Sequence, residues 1–507
     1  MCSFLFKQVK LIIFLTIFLL FLIIIKFSYS SRYLIDFSGN DFSLYTILSE
    51  RSEKHFVNDI YIDGNILLYD SNSDIYYYSF NDKNDLNKKE IIFDSYMNYD
   101  FYIDLSNFDY KIKNNQVFEL YIYNSKYYQK ANIVFTHLPM INIETSEEIG
   151  ATNISSKVSM YDPEYKRNNK NYYSSYDSSV KTRGSLSSIY RKKSYKLKFN
   201  IDVSVFGLKN NNEWILDSLY SDASKVRNDL SSQIWNDIIL DEKNSSIKNN
   251  LNCKYVEVFV DGKYYGLYSL KEHIDEKTVN LDNKFMFKGN GYHAMDFSNI
   301  YNRSDVIFSN FEFKYPKSDE EYDVFWYFTL SKIKKFYSSY ELTDDILYSD
   351  FYIRNYIDYN LLRTFTRAVD NSFIKNIYML YDYDKDKLII IPWDLDQTFG
   401  QIWDAYNTDT YMKVEYDKYD ELYYDVYEMF TFRYNRMIRS RYWELRNRCL
   451  NIDTINKYLD SYMEILVNSG AAKRDSDSWY QYDVIYEIEN IRQWTKNRIS
   501  FLDEYFK

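Results

Sequence analysis

The chain is poor in the residues that punctuate a backbone. Of 507 residues only 11 are Gly and 4 are Pro, against ordinary usage of roughly 7% and 5%. This excludes collagen-like, Pro-rich and Gly/Ser-linker architectures. Only three cysteines are present, Cys2, Cys253 and Cys449, with no CxxC, so a disulfide-rich scaffold is excluded. A bridge between Cys253 and Cys449 is left open. Four histidines, His55, His137, His273 and His293, show no zinc-motif spacing. Positive charge is in deficit: 62 Lys and Arg face 73 Asp and Glu, a net charge of −11, which argues against general nucleic-acid binding.

Aromatic residues are abundant instead. The chain has 57 Tyr and 35 Phe, and aromatics make up 20% of it. So many rings argue for a large core and against disorder. Codon bias in an AT-rich genome accounts for the totals, since Tyr, Asn, Lys, Ile and Phe have AT-rich codons. It does not account for where the scarce residues sit.

The N-terminus carries the longest apolar run, Leu11 to Ile25, behind Lys7 and Lys10 and ahead of Lys26. A basic start, a run of this length and the small Ser28 and Ser30 predict a secretory signal over residues 1–30, cleaved or kept as a signal anchor. Either way the remainder is expected outside the cytosol, and any membrane contact is expected only through that anchor. Sequons occur at Asn153, Asn244 and Asn302, as expected by chance in a chain so rich in Asn and Ser.

Residues 31–137 alternate apolar and polar side chains and predict a small β-rich domain, with Asp63-Gly64 as a hairpin turn. From 138 onward the texture changes. A strand is predicted at Tyr195–Ile201, a helix over Asp222–Ile239 with Asp222 as N-cap, and a hairpin turning at Asp261-Gly262. Helices are predicted at 324–337 and 350–366, a hairpin from Asn376 to Asp396, and helices over most of the last hundred residues.

The sharpest chemical feature is the segment IIIPWDLDQTFG. An apolar strand delivers Asp394 and Asp396, which alternation would point to one side. Two adjacent carboxylates need a cation or a hydrogen-bond donor, and hard oxygen ligands at a strand end suit Mg²⁺ together with substrate phosphate. Upstream, in RAVDNSFIKNIYML, Asp370 and Asn376 could orient a hydroxyl nucleophile and add a metal ligand. In TRGSLSSIYRKKSYKLKF, a turn at Gly184 leads to Lys193, Lys196 and Lys198; a strand lysine facing a cleft can neutralise phosphate. A solvated edge strand explains the same lysines equally well.

Taken in order, these segments resemble the spore coat protein H (CotH) kinase family. The resemblance runs from about Pro139 to Lys507 through LPMINIET, RG…KKSYKLKF, EWILDSLYSDASKVRNDL, VEVFVDGKYYGLYSLKEHID, FMFKGN, VDNSFIKNIYML, IPWDLDQTFG and the closing IENIRQWTKNRISFLDEYF. It implies an α+β, atypical protein-kinase-like fold of two lobes, a β-rich N-lobe over about 138–272 and a helical C-lobe over about 273–507. It implies ATP and Mg²⁺ or Mn²⁺, and Ser/Thr hydroxyls of a protein as acceptor. By motif, Asp394 matches the metal-binding Asp, Asp396 the second carboxylate, Asp370 the catalytic Asp and Asn376 the metal-ligating Asn, with Asn371 as fallback. Lys193 or Lys198 would face the ATP phosphates, Arg183 sits in the RG element, Asp222, Arg227 and Asn228 match the family's helix, and Glu272 falls at the hinge. The sequence departs from ordinary kinases: it has no GxGxxG, HRD or DFG, and the family's RGNSS is here RGSLSS. Two other readings remain: a non-catalytic, adhesin-like coat or surface protein, and a glycosyltransferase using Asp394-x-Asp396 as its metal motif.

Overall fold

The computed structural model describes residues 30–33, 35–36, 50–51, 59–81, 92–95, 99–103, 117–124, 127–165, 172–184, 188–240, 251–279, 284–290, 311–315, 332, 351–372, 375–402, 405–406, 421–479 and 483–507. The apolar N-terminal run, the sequons at Asn244 and Asn302 and all but one residue of the helix expected at 324–337 lie outside these residues. No helix among the described residues is long and apolar enough to cross a membrane. Cys253 and Cys449 are both free thiols.

Before residue 137 the described residues form two sheets, one of four strands and one of seven. Asp63 and Gly64 both adopt positive φ, 51° and 74°, as the turn between Ile60–Ile62 and Asn65–Ile66 requires. The aromatic surplus is used here: Tyr76, Tyr77, Phe93, Phe101, Phe118 and Phe135 fill the core. The same cluster takes in Met140, Tyr161 and Phe259 from the next unit, with Tyr77 and Phe259 ring centroids 5.0 Å apart.

Seven strands then close into a barrel: β1 (Met140–Thr145), β2 (Ile154–Tyr161), β3 (Tyr173–Arg183), β4 (Ser194–Val203), β5 (Asn211–Asp217), β6 (Cys253–Val260) and β7 (Lys263–Glu272). The order is β1-β2-β3-β4-β5-β7-β6, and β6 pairs parallel with β1 to complete the ring. Strand alternation fills the interior: along β4, Tyr195, Leu197 and Phe199 point in, while Lys196 and Lys198 point out. Asp261 and Gly262, at φ 50° and 70°, make the predicted turn between β6 and β7.

Helix α1 (Arg227–Ile238) joins β5 to β6. A second sheet, ordered β9-β8-β10-β11, is built from β8 (Lys284–Asn290), β9 (Phe311–Tyr315), β10 (Lys375–Asp382) and β11 (Lys387–Pro392). Helix α2 (Ile353–Thr366) lies before β10, and α3 (Glu421–Arg448), α4 (Ile452–Met463), α5 (Ala471–Trp479) and α6 (Val484–Tyr505) follow. A single π-turn, Glu464–Asn468, links α4 towards α5. The termini of α4 and α6 are capped by Asn451 and Asp483 side chains, as their sequence positions ask.

Two expectations need correction. The two-lobed kinase-like fold is not what the described residues form. The barrel closes on itself, so it leaves no open N-lobe sheet. The hairpin expected from Asn376 is joined by β8 and β9 into a four-stranded sheet within the lobe expected to be helical. Helix α1, from the expected N-lobe, buries Leu230, Ile234 and Trp235 in one core with residues of α2 to α6. Closure removes the sheet edges that a lobe boundary would expose, and the apolar stripe of α1 finds its partners among the later helices. The second correction concerns Asp222, which is not the N-cap of α1. The helix starts after Val226, because Lys225 takes φ 65° and breaks the turn. Asp222 still serves the helix, accepting from the Arg227 N–H at 2.8 Å and pairing with its guanidinium.

Candidate functional site

Where the barrel meets the second sheet, a narrow cleft is lined by Arg183, Asp217, Asp229, Lys271, Glu272 and Asp394, among others. Each stands at an element terminus or near one: Arg183 ends β3, Asp217 ends β5, Asp229 lies in the first turn of α1, Glu272 ends β7, and Asp394 follows β11. The enclosed space is about 30 Å³, room for an ion or a water. A neighbouring cavity of about 520 Å³ shares Asp229, Leu251, Asn252 and Cys253 with it.

Four expected residues therefore converge, Arg183, Asn228, Glu272 and Asp394. Arg183 stacks its guanidinium 6.0 Å from the centre of the Trp393 ring. Glu272 accepts from the Lys209 N–H at 2.8 Å and from Asn252, and burial pushes its carboxyl up. Asp394 does not continue a strand. β11 ends at Pro392, and Asp394 adopts φ 55°, so alternation does not set the direction of Asp394 and Asp396. Their carboxyls interact nonetheless. Burial, then the charge of Asp394, with Asp217 and Asp370 adding to it, pushes the Asp396 carboxyl up to about 8. Ser221 and Gln397 donate to it at 3.1 and 3.2 Å.

Asp370 and Asn376 lie together beside this group. The Asn376 amide donates to the Asp370 carboxylate at 2.9 Å and to its backbone carbonyl at 3.0 Å, and Lys375 pairs with the same carboxylate. Burial pushes the Asp370 carboxyl up in spite of Lys375, and Asp394 adds to the rise. Asn376, like Asp394, takes a left-handed φ, here 53°. Its carbonyl accepts from the Trp393 N–H at 2.9 Å, which ties the start of β10 to the end of β11. Asn371 braces the same junction, donating to the carbonyls of Asn376 at 3.0 Å and Trp393 at 2.7 Å.

The expected lysines do not join this site. Lys193 donates to the Ser188 carbonyl at 2.6 Å on the surface. Lys198 points out of the barrel, 3.6 Å from Glu213, because Tyr195, Leu197 and Phe199 take the inner face of its strand. Neither lines the cleft. The lysine that does is Lys271, which sequence reasoning missed. Its ammonium lies 2.5 Å from Asp217 and 3.8 Å from Asp229. Burial disfavours its charge, but those carboxylates outweigh burial and hold its pKa above the usual lysine value. Asp217 and Asp229 were missed as well. The only signal was their presence in the quoted motifs, at the ends of a strand and in a helix's first turn.

The donor set suits a hard divalent ion. Asp394, Asp396 and the Asn376 side-chain oxygen offer oxygen ligands only, and the upward push on Asp396 is what a bound cation would relieve. Asp370, Asp394 and Asp396 do not close to within 4.8 Å of one another as a full protein cage would. Mg²⁺ needs no such cage, since it keeps waters and takes phosphate oxygens alongside one or two carboxylates.

Comparison with protein families matches residues 180–502 to the family described as CotH kinase protein. No curated protein gives a match to this chain.

Proposed function

Because the chain belongs to the CotH kinase protein family, we propose that it is a metal-dependent protein kinase that uses ATP outside the cytosol and phosphorylates Ser/Thr hydroxyls of a protein. The observation that carries this reading is the crowding of Asp217, Asp370, Asp394 and Asp396 around one place with Arg183 and Lys271 facing it. Such a place needs a cation and offers positive charge to phosphate.

Asp394, Asp396 and Asn376 would hold Mg²⁺ or Mn²⁺, which when bound neutralises charge on the transferring phosphoryl group. Arg183 and Lys271 would draw the nucleotide phosphates to the cleft mouth. Asp370 accepts the proton of the attacking hydroxyl as its oxygen bonds to the γ-phosphorus and the bond to ADP breaks. Its raised pKa favours that role, and Asn376 and Lys375 orient the carboxylate from its two oxygens. Action outside the cytosol rests on Lys7, Lys10 and the Leu11–Ile25 run.

The test is transfer of label from γ-labelled ATP to a casein-like acceptor, with Mg²⁺ or Mn²⁺ present. Wild type should transfer, and Asp394→Asn should transfer roughly a hundredfold less or worse. Equal transfer by the two, or none by wild type, would sink the reading and favour a non-catalytic surface role.

A further inference from the structure

Glu213 on β5, and His273 and Asp275 just beyond β7, bring three donor atoms within 4.8 Å of one another. None of the three lines the Asp394 cleft. We propose that this trio binds a Zn²⁺-class divalent ion through one imidazole nitrogen and two carboxylate oxygens, pinning β5 to the segment that follows β7.

Distance and donor chemistry carry the argument. The His273 Nδ1 atom lies 3.5 Å from Asp275 Oδ2 and 3.9 Å from Glu213 Oε2. Bonds of about 2.0–2.1 Å in a tetrahedron place donor atoms roughly 3.3–3.4 Å apart, so the imidazole needs to approach each carboxylate by only a few tenths of an ångström, and the two carboxylates start within 4.8 Å of one another. The same Nδ1 is buried and makes no hydrogen bond of ordinary length, with Asp275 3.5 Å away, a condition that a metal bond would satisfy. Mixed nitrogen and oxygen donors favour Zn²⁺ over Mg²⁺. Three protein ligands leave the fourth position to water.

Asp275 is already oriented for the task. Asn211 donates to Oδ2 at 2.8 Å, and the backbone N–H groups of Lys277 and Thr278 hold Oδ1 at 2.9 and 3.1 Å. Such outer contacts fix a ligating carboxylate. Glu213 has competitors, since Lys198 lies 3.6 Å from Oε1 and Lys196 sits 2.7 Å from Oε2. That ion pair is part-exposed on the outside of the barrel, where such pairs contribute little, so Lys196 can turn to solvent when an ion takes its place. The position matters because Glu272, next to His273, does line the cleft. An ion here would steady that wall.

The alternative is a site without an ion, in which the imidazole only packs beside the two carboxylates. Metal content separates the two. The full chain is stripped with a chelator and dialysed against Zn²⁺ with excess Mg²⁺, which keeps oxygen-only sites filled. Wild type and Asp394→Asn should hold one more equivalent of zinc than His273→Gln, and Zn²⁺ should raise the melting temperature of wild type and not of His273→Gln. Glu213→Gln gives the same reading should His273→Gln fold poorly. Equal zinc in His273→Gln and wild type, or none in wild type, overturns the site.

Discussion

At the scale of single residues, the ion pair between Lys271 and Asp217 sets the charge of the cleft. Burial works against ionising Asp217, but the Lys271 ammonium and its hydrogen bond outweigh that and hold the carboxyl down at about 2. A drop from 3.8 to about 2 is worth roughly 2 kcal/mol to the folded state. Because the folded pKa is the lower one, this stability is present above about pH 4 and is lost as pH falls towards 2. Asp217→Asn should therefore lower the unfolding free energy by roughly 2 kcal/mol at neutral pH. In urea titrations at several pH values, the gap to wild type should narrow on acidification between those limits. A gap that stays constant contradicts the assignment. The carboxylates Asp394, Asp396 and Asp370 were legible because they sit in one compact motif or close to it. Lys271 was not. Its place depends on register between distant strands, with Ile215 and Cys253 opposite Lys271 on its two sides, and a sequence read along one line does not show that.

At the scale of elements, α5 is fastened to the barrel through one close approach. Gly266 on β7 takes φ 117°, and a Cβ there would come 2.3 Å from Asp475 Oδ1 and 3.1 Å from the Lys192 side chain. That carboxylate is held by the Lys192 ammonium at 2.6 Å and the Leu267 N–H at 3.0 Å, with Lys225 3.5 Å from its other oxygen. Nearby, Arg474 pairs with the buried Glu257 at 2.8 Å. Gly266→Ala combines strain at positive φ with overpacking against α5, and should cost roughly 2–4 kcal/mol. A shift in urea midpoint worth under about 0.5 kcal/mol would show that α5 gives way freely. Elements with local signals were legible: the Asp-Gly turns fell where expected, and so did the Tyr195 strand and the hairpin ending in PWDLD. The start of α1 was not, because the break at Lys225 has no marker as plain as Gly or Pro.

At the scale of the whole molecule, the closed barrel and the mixed core of α1 with the later helices replace the expected pair of lobes. The composition showed that a large aromatic core must exist, but not how strands distant in sequence would pair to enclose it. The parallel joining of β1 to β6 links Met140 with Glu257, 117 positions further along the chain. The four carboxylates meet where the segment after β5 packs on the loop after β11, with Ser221 donating to Asp396 at 3.1 Å. Metal and nucleotide are proposed to be held together at this meeting place. Calorimetric titration of ATP into the full chain, with and without Mg²⁺, tests this most directly. Wild type should bind ATP with Mg²⁺ and much more weakly without it, and Asp394→Asn should lose at least tenfold in affinity, about 1.4 kcal/mol. Binding that ignores both Mg²⁺ and Asp394, or no binding by wild type, would contradict the account.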